Sequence, residues 1–536
     1  MNELKSEILT DRVRIRLSGR IDSVNSADIE KGILEILGHA PGLPVELAAD
    51  DLAYISSAGL RVILRVRKNC PDLFITGVNS DVYEILEMTG FTEMMRVEKA
   101  FRVVSVEGAE EIGRGANGVV YRLDRDNVVK VLHNGASLED IKLERELARK
   151  ALILGIPTAI SYDVVRVGDN YGSVYELLNA TSFSKILAED PGKMDWCVKE
   201  FVGLLKKIHG TEVPHGDLPD SRDWLIDWAD FTAAYLPEAA GKKLSAMARE
   251  VPDVDHMIHG DYHTKNVELA GDEVLLIDMD TLAVGYPVIE LGSMYNASVG
   301  YGEYDPDIIK SFMGFDSDTG RVFWQKVLAA YLGTENKRKI RAVEDKARIV
   351  GYSRMIRRAI RRGELETEEG RCTIELWKEK LVRLLEKTDT LLFTCNEQVF
   401  PADKEQLPEV LAFIDRILEE ENCPAKIRTQ VAIAAEEIFI NIAGYAYPDG
   451  RGNVVIRADV NEDTNTLELT FTDSGLPFDP EAKTDPDVTA GAEERQIGGL
   501  GIFMAKKMMD SFRYEYRDGK NILKMEKKLP GTAPAA

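Results

Sequence analysis

The run Gly498-Gly499-Leu500-Gly501-Ile502-Phe503-Met504-Ala505-Lys506-Lys507-Met508-Met509-Asp510 decides how the C-terminal part of the chain is read. Three glycines in four positions leave backbone N–H groups open to close approach, because no Cβ shields them. A helical apolar pattern begins at once with Ile502, Ala505, Met508 and Met509. The donors therefore stand at a helix N-terminus, which attracts anions. A tight turn would use the same glycines, and two upstream stretches weigh against that reading. In Glu436-Glu437-Ile438-Phe439-Ile440-Asn441, spacing of four puts Glu437 and Asn441 on one helix face. An alternating strand through Leu467, Leu469 and Phe471 then runs into Asp473-Ser474-Gly475-Leu476-Pro477-Phe478-Asp479-Pro480 and places an acid at a strand end. A carboxylate and an amide on one helix, an acid before a loop and glycines before a helix suit a Mg-ATP site.

In this order and spacing the motifs resemble the ATPase fold shared by histidine kinases and gyrase, and within it the anti-sigma-factor serine kinase branch. The resemblance runs through residues 395–530. It implies an α/β sandwich in which Glu437 is the general base and Asn441 holds Mg. Asp473 would read the adenine amino group, and Gly475, Gly499 and Gly501 would line the nucleotide. Tyr445 stands where members of that branch often carry His. The bland alternative is a fold that binds nucleotide without turnover.

The remaining chain is long enough for two or three further domains at 536 residues in all. The hydrophobic fraction of 44% and charged fraction of 29% are those of ordinary globular chains. A formal net charge of −24 argues against nucleic acid or an anionic membrane as the main partner. There is no apolar run near membrane-spanning length and no signal-peptide pattern after Met-Asn-Glu-Leu-Lys. The five cysteines, Cys70, Cys197, Cys372, Cys395 and Cys423, show no metal-ligand spacing and read as reduced thiols of a cytoplasmic protein.

Residues 1–102 alternate strands with helices, predicting a small α/β domain. Val13, Ile15 and Leu17 mark one strand, Val45–Leu47 a second and Leu73–Thr76 a third. Between the last two lies Asp51-Leu52-Ala53-Tyr54-Ile55-Ser56-Ser57-Ala58-Gly59-Leu60, which opens a helix. A serine there is commonly an N-cap. A helix N-terminus also favours a phosphate ester. The segment resembles the STAS domains of anti-sigma-factor antagonists, whose acid-Ser-x-Gly-Leu motif carries a phosphorylated serine. The resemblance makes Ser57 the phosphoacceptor, with Ser56 standing in place of the acid.

Residues 103–390 begin with Gly113-Arg114-Gly115-Ala116-Asn117-Gly118-Val119-Val120, ahead of the strand Val128-Val129-Lys130-Val131-Leu132. No helix follows the glycines, so a phosphate-covering hairpin with Lys130 on the phosphates fits better than a dinucleotide fold. A helix carrying Glu144 and Glu146 follows, and the reading favours Glu146 as the partner of Lys130. Next come His259-Gly260-Asp261-Tyr262-His263-Thr264-Lys265-Asn266 and Val274-Leu275-Leu276-Ile277-Asp278-Met279-Asp280. These supply a base-capable acid, a metal-capable amide and a second acid at a strand end.

This region resembles the aminoglycoside phosphotransferase-like kinases, a bilobal protein-kinase-like fold. The resemblance implies that Gly113, Gly115, Gly118 and Lys130 hold phosphates, that Asp261 is the base, and that Asn266 and Asp278 hold Mg, with Asp280 competing for the last role. The basic stretch from Lys337 to Arg362 reads as a solvated face, an anion site, or a surface paired with acids elsewhere in the chain.

The expected architecture is thus multidomain α/β and α+β: a STAS-like domain (1–102), a phosphotransferase-like kinase (103–390) and a histidine-kinase-like ATPase (391–536). The expected activity is ATP- and Mg-dependent phosphorylation of Ser57 or of a separate antagonist, in a partner switch that controls a sigma factor. A homodimer through the ATPase domain is compatible with this reading. The alternatives are a nucleotide-gated adaptor, or a small-molecule phosphotransferase regulated by its flanks.

Overall fold

The computed structural model describes residues 4–114, 118–132, 138–168, 170–448, 452–461, 463–478 and 500–529. The chain divides into two compact units, 1–145 with 159–178, and 146–158 with 179–536.

The first unit opens with a five-stranded sheet in the order Ser6–Ile8, Val13–Ile21, Val45–Ile55, Leu73–Val78, Val97–Lys99. The first pair is antiparallel and the other three are parallel. Parallel neighbours need crossovers, and the helices Ser26–Gly38, Ser57–Asn69 and Ser80–Met88 supply them. Val13, Ile15, Leu17, Val45, Leu47 and Ile75 point into one core with Ile33, Val62, Ile63 and Val66 of the helices. The strand Val45–Ile55 runs well past the expected Leu47, because Ala48, Ala49, Leu52 and Ile55 continue the buried row.

The same unit holds a six-stranded sheet, in the order Arg102–Val103, Asp163–Val167, Asn170–Glu176, Asn127–Leu132, Gly118–Arg122, Glu111–Arg114. Val129, Val131, Val165, Val167 and Val174 form its small core. Lys130 alternates out of phase with Val129 and Val131, so its ammonium leaves that core.

The second unit contains a helical lobe and a sandwich. The lobe packs the helices Met194–His209, Val288–Ser298, Ser317–Leu332, Lys337–Arg361 and Glu368–Lys387 around Phe201, Tyr262, Tyr295, Trp324 and Tyr352. Val288–Ser298 is buried on every side, which explains its apolar composition. The sandwich has an antiparallel sheet in the order Glu397–Pro401, Asn453–Asn461, Thr466–Asp473, Lys520–Lys528, Ser511–Arg517. Helices Leu407–Glu420, Ala425–Asn441 and Leu500–Met508 contribute to its core, where Val431, Ala435 and Phe439 meet Ile456, Leu469, Phe471 and Met525.

Lobe and sandwich are joined by a buried polar knot. Asp459 accepts from Thr334 Oγ1 at 2.5 Å and from Asn396 Nδ2 at 2.9 Å, and Asn336 Nδ2 donates to the Val460 carbonyl. Lys206–Glu397, Arg338–Glu421 and Lys339–Glu420 pairs surround it. Part of the basic stretch therefore does pair with acids elsewhere in the chain. All five cysteines are free thiols. Among the described residues no helix is long and apolar enough to cross a membrane.

Candidate active sites

In the sandwich, Glu437 and Asn441 share a face of helix Ala425–Asn441, as their spacing requires. Asn441 Nδ2 donates to the Glu437 carbonyl at 2.6 Å, which leaves its amide oxygen as the outward group. The helix then widens into a π-turn, Ile442–Ala446, a device frequent at functional sites. The Ala446 carbonyl accepts from Leu476 N at 2.8 Å. A Cβ on Gly475 would stand 2.5 Å from that same oxygen, so only glycine lets the loop close there.

Asp473 is buried at the strand end, as expected. Its Oδ1 accepts from Gly475 N and from Asn521 Nδ2, both at 2.9 Å, and among the described residues Oδ2 remains open to a further donor. Tyr447 braces the loop by accepting from Ser474 N at 3.0 Å. Gly501 sits against Glu437, and a Cβ there would stand 1.9 Å from Oε2. The carboxylate thus rests on the first turn of Leu500–Met508, where the helix dipole favours an anion. Tyr445 is exposed. Gly498 and Gly499 lie outside the described residues.

Asn521 was not singled out from the sequence. A signal existed, since it falls in phase with the buried Leu523 and Met525 of its strand.

In the six-stranded sheet, Lys130 Nζ pairs with Glu144 Oε1 at 2.8 Å. This corrects the expectation for Glu146, which is exposed and pairs with Arg149. The helix turns Glu144 inward, with Tyr175 donating to it at 3.3 Å, while two residues on the helix faces solvent. Gly113 has open space where a Cβ would be, so packing does not call for a glycine there. Gly118 does not: its Cβ would meet the Val131 carbonyl at 2.4 Å, so close strand packing accounts for that glycine. Gly115 lies outside the described residues.

In the helical lobe, the hairpin Val267–Ala270 with Glu273–Leu276 pairs Val267 with Leu276. The next rung joins Ile277 N to the Asn266 carbonyl at 2.9 Å, so Asn266 and Asp278 lie at the same end of the hairpin. Asn266 Nδ2 donates to the Asp261 carbonyl at 3.0 Å, and His259 Nε2 stands 3.2 Å from the Ile277 carbonyl. Asp261, Asn266 and Asp278 are thereby gathered. Asp278 adopts a left-handed backbone with φ 65°, a conformation costing about 1–3 kcal/mol that functional sites tolerate. Asp280 lies beyond it on the short turn Met279–Thr281.

Burial alone would push the Asp261 carboxyl up. The hydrogen bond and charge of His263, then Arg354 and His259, outweigh it and hold Asp261 well below the usual carboxylate range. Ser293 Oγ also donates to Asp261 Oδ1 at 3.3 Å.

Two further residues of this lobe escaped the sequence reading. Fully buried Glu290 accepts from the backbone N–H groups of His259, Gly260 and Tyr262 at 2.6, 3.2 and 3.2 Å, which fixes the loop that carries Asp261. An acid inside the apolar run Val288-Ile289-Glu290-Leu291 was the available signal. Arg354 donates to the Gly260 carbonyl at 2.9 Å and to Asp261 Oδ1 at 3.3 Å from a helix far along the chain.

At the N-terminal domain, Ser56 takes the capping role, its Oγ accepting from Ala58 N at 3.2 Å and Gly59 N at 3.5 Å. Ser57, in the first turn of the helix, is exposed.

The donor sets are of a kind that fits a divalent cation: at Asn266 and at Asn441 the amide nitrogen is tied to a backbone carbonyl, which leaves the amide oxygen as the atom to meet an ion. Such an ion would neutralise phosphate charge. Residues able to hold it are Asn441 in the sandwich, and Asn266 with Asp278 in the lobe.

The domains and their kinase relatives define an ATP-dependent phosphotransferase of several domains. Three family models match successive segments: the STAS domain over residues 4–104, the phosphotransferase enzyme family over 108–321, and the histidine kinase-like ATPase domain over 400–527. The serine/threonine-protein kinase BtrW of Bordetella bronchiseptica is 24% identical over 137 residues, 26% of this chain and 91% of that protein. The serine-protein kinase RsbW of Listeria monocytogenes is 30% identical over 96 residues, 17% of this chain and 60% of that protein. This chain therefore spans about three fifths of the length of the RsbW relatives it matches. Among solved structures, ADP-bound aminoglycoside phosphotransferase APH(2'')-Ib matches at 14% identity and TM-score 0.35, covering 58% of this chain and 98% of that one. APH(3'')-Id from Streptomyces rimosus matches at 16% identity and TM-score 0.28, covering 47% and 98%.

Proposed function

We propose that the C-terminal ATPase domain is a serine kinase whose acceptor is Ser57, in the same chain or another copy, or the matching serine of a separate antagonist. The observation that carries this reading is the division of labour at the first helix turn after Ile55. Ser56 supplies the cap, so the exposed Ser57 hydroxyl is spared for chemistry. The chain also contains a domain related to named serine-protein kinases.

In this reading Glu437 takes the proton of the attacking serine hydroxyl, and Asp473 Oδ2 orients the adenine. N–H groups at the start of helix Leu500–Met508 would stabilise the γ-phosphate as charge develops. Asn441 holds Mg. A phosphate on Ser57 adds about two negative charges to a surface-exposed helix start and changes what docks there. The docked partner would be the ATPase domain itself or a protein of a sigma-factor pathway, in the cytoplasm. This reading puts the domain junctions near 102/103 and 390/391. The middle domain is a second phosphotransferase, with Lys130 on phosphates, Asp261 as base, and Asn266 and Asp278 on Mg.

Phosphopeptide mass spectrometry after incubation with Mg-ATP tests the reading on three proteins. Label on Ser57 is expected in the wild type and in Asp261→Ala, and none in Glu437→Ala. Label lost only in Asp261→Ala would reverse the assignment of the two kinases. No label in any of them, nor on an added antagonist domain, would favour a nucleotide-gated adaptor.

A further inference from the structure

We infer that the acceptor of the Asp261 site is a small acidic alcohol, a hydroxyl compound that also carries a phosphate or carboxylate. The inference rests on the reading of Asp261 as a base and goes on to name the substrate class. Helix Lys337–Arg361 sets Arg354, Arg358 and Arg361 at i, i+4 and i+7, one row about 10 Å long. The row starts at the catalytic carboxylate, where Arg354 Nη2 lies 3.3 Å from Asp261 Oδ1.

Each guanidinium is backed by an aromatic ring: Arg354 by Trp228 at 5.4 Å, Arg358 by Tyr301 at 5.9 Å and Arg361 by Phe231 at 5.2 Å. Stacking of this kind fixes the planar fork; Arg354 spends its edge on the Gly260 carbonyl, Ser293 Oγ and Asp261, which leaves the edges of Arg358 and Arg361 to bind an oxyanion. The row is also under-compensated. Arg354, Arg357 and Arg361 share two carboxylates, Asp261 and Asp227, while Arg358, among the described residues, donates only to the neutral Tyr301 hydroxyl at 3.0 Å. A polycationic aminoglycoside would meet like charge here, whereas an anionic alcohol would be drawn along the row toward Asp261.

The reaction then balances simply. The acceptor oxygen bonds to the γ-phosphorus of ATP, the bond from that phosphorus to the β,γ-bridging oxygen breaks, and ADP leaves. The hydroxyl proton passes to Asp261.

The test uses the full chain, saturated with Mg and the non-hydrolysable analogue adenylyl-imidodiphosphate so that the nucleotide sites are filled. Inorganic phosphate is then titrated calorimetrically. Wild type is expected to bind it, Arg358→Ala/Arg361→Ala about tenfold or more weakly, and Asp261→Asn more tightly, because a competing negative charge is gone. Kanamycin is expected not to bind. Absence of phosphate binding in wild type, affinity unchanged in the double variant with an unchanged melting temperature, or kanamycin binding would overturn the proposal. Phosphate binding that follows the arginines in a protein whose Asp261 site never turns over ATP would leave the subsite standing and sink only the assigned base.

Discussion

Lys130 Nζ lies 2.8 Å from Glu144 Oε1, both groups largely withdrawn from solvent, while Glu146 faces outward two residues later on the same helix. A lysine held this way keeps one orientation, which the proposed phosphate-binding role requires. Glu144→Ala is expected to lower turnover at the Asp261 site by about tenfold to a hundredfold, and Glu146→Ala to leave it unchanged. Steady-state kinetics in a Glu437→Ala background, which silences the other site, would check this. Equal effects from the two would refute the pairing.

Glu290 receives three backbone N–H groups in a site with no exposure. Replacing it with alanine leaves those donors buried and unsatisfied, a loss of about 3 kcal/mol or more. Glu290→Ala should therefore lower the melting temperature of the helical lobe and abolish turnover at Asp261. Amide hydrogen exchange of residues 257–266 would report the loosened loop directly.

Asp261 has a pKa depressed below its unfolded value, so its ionised form is favoured by folding. That stability is present above the ordinary carboxylate pKa and is lost only as pH falls through the lower, folded value. Turnover at this site should accordingly show no acid limb from Asp261 near pH 4, an ordinary carboxylate value of about 3.9. Removing the Arg354 cation raises the Asp261 pKa, so Arg354→Ala should shift the acid limb upward. A pH–rate profile of each protein decides it, and superimposable acid limbs would argue against the contact.

Gly501 leaves no room for a methyl group beside the Glu437 carboxylate. Gly501→Ala should displace that side chain and reduce Ser57 labelling by about a hundredfold, with the melting temperature little changed. The cap predicts the opposite pattern at the acceptor. Ser56→Ala should cost about 1 kcal/mol of stability and keep the label, whereas Ser57→Ala should lose the label and keep the stability.

The junction of lobe and sandwich offers a contrast between buried and rim charges. Asp459→Ala strands Thr334 and Asn396 and is expected to cost about 3 kcal/mol. Arg338→Ala, which removes an exposed guanidinium from Glu421, should cost under about 1 kcal/mol. Denaturant unfolding of both proteins would separate them.

Much of the molecule was legible in the residues alone, because local spacing carries it. Period-two alternation gave the strands around Val13, Val129 and Leu469. Helical spacing put Glu437 and Asn441 on one face. Fixed motif intervals gathered Asp261, Asn266 and Asp278. What spacing cannot convey is which distant side chain arrives beside a given group. The choice of Glu144 over Glu146, the seat of Glu290 under the loop that carries Asp261, the meeting of Asn521 with Asp473 and the row of arginines leading from Asp261 all depend on elements packed together from far along the chain. Only the folded core fixes those meetings, since burial decides which charges must find partners and which remain in water.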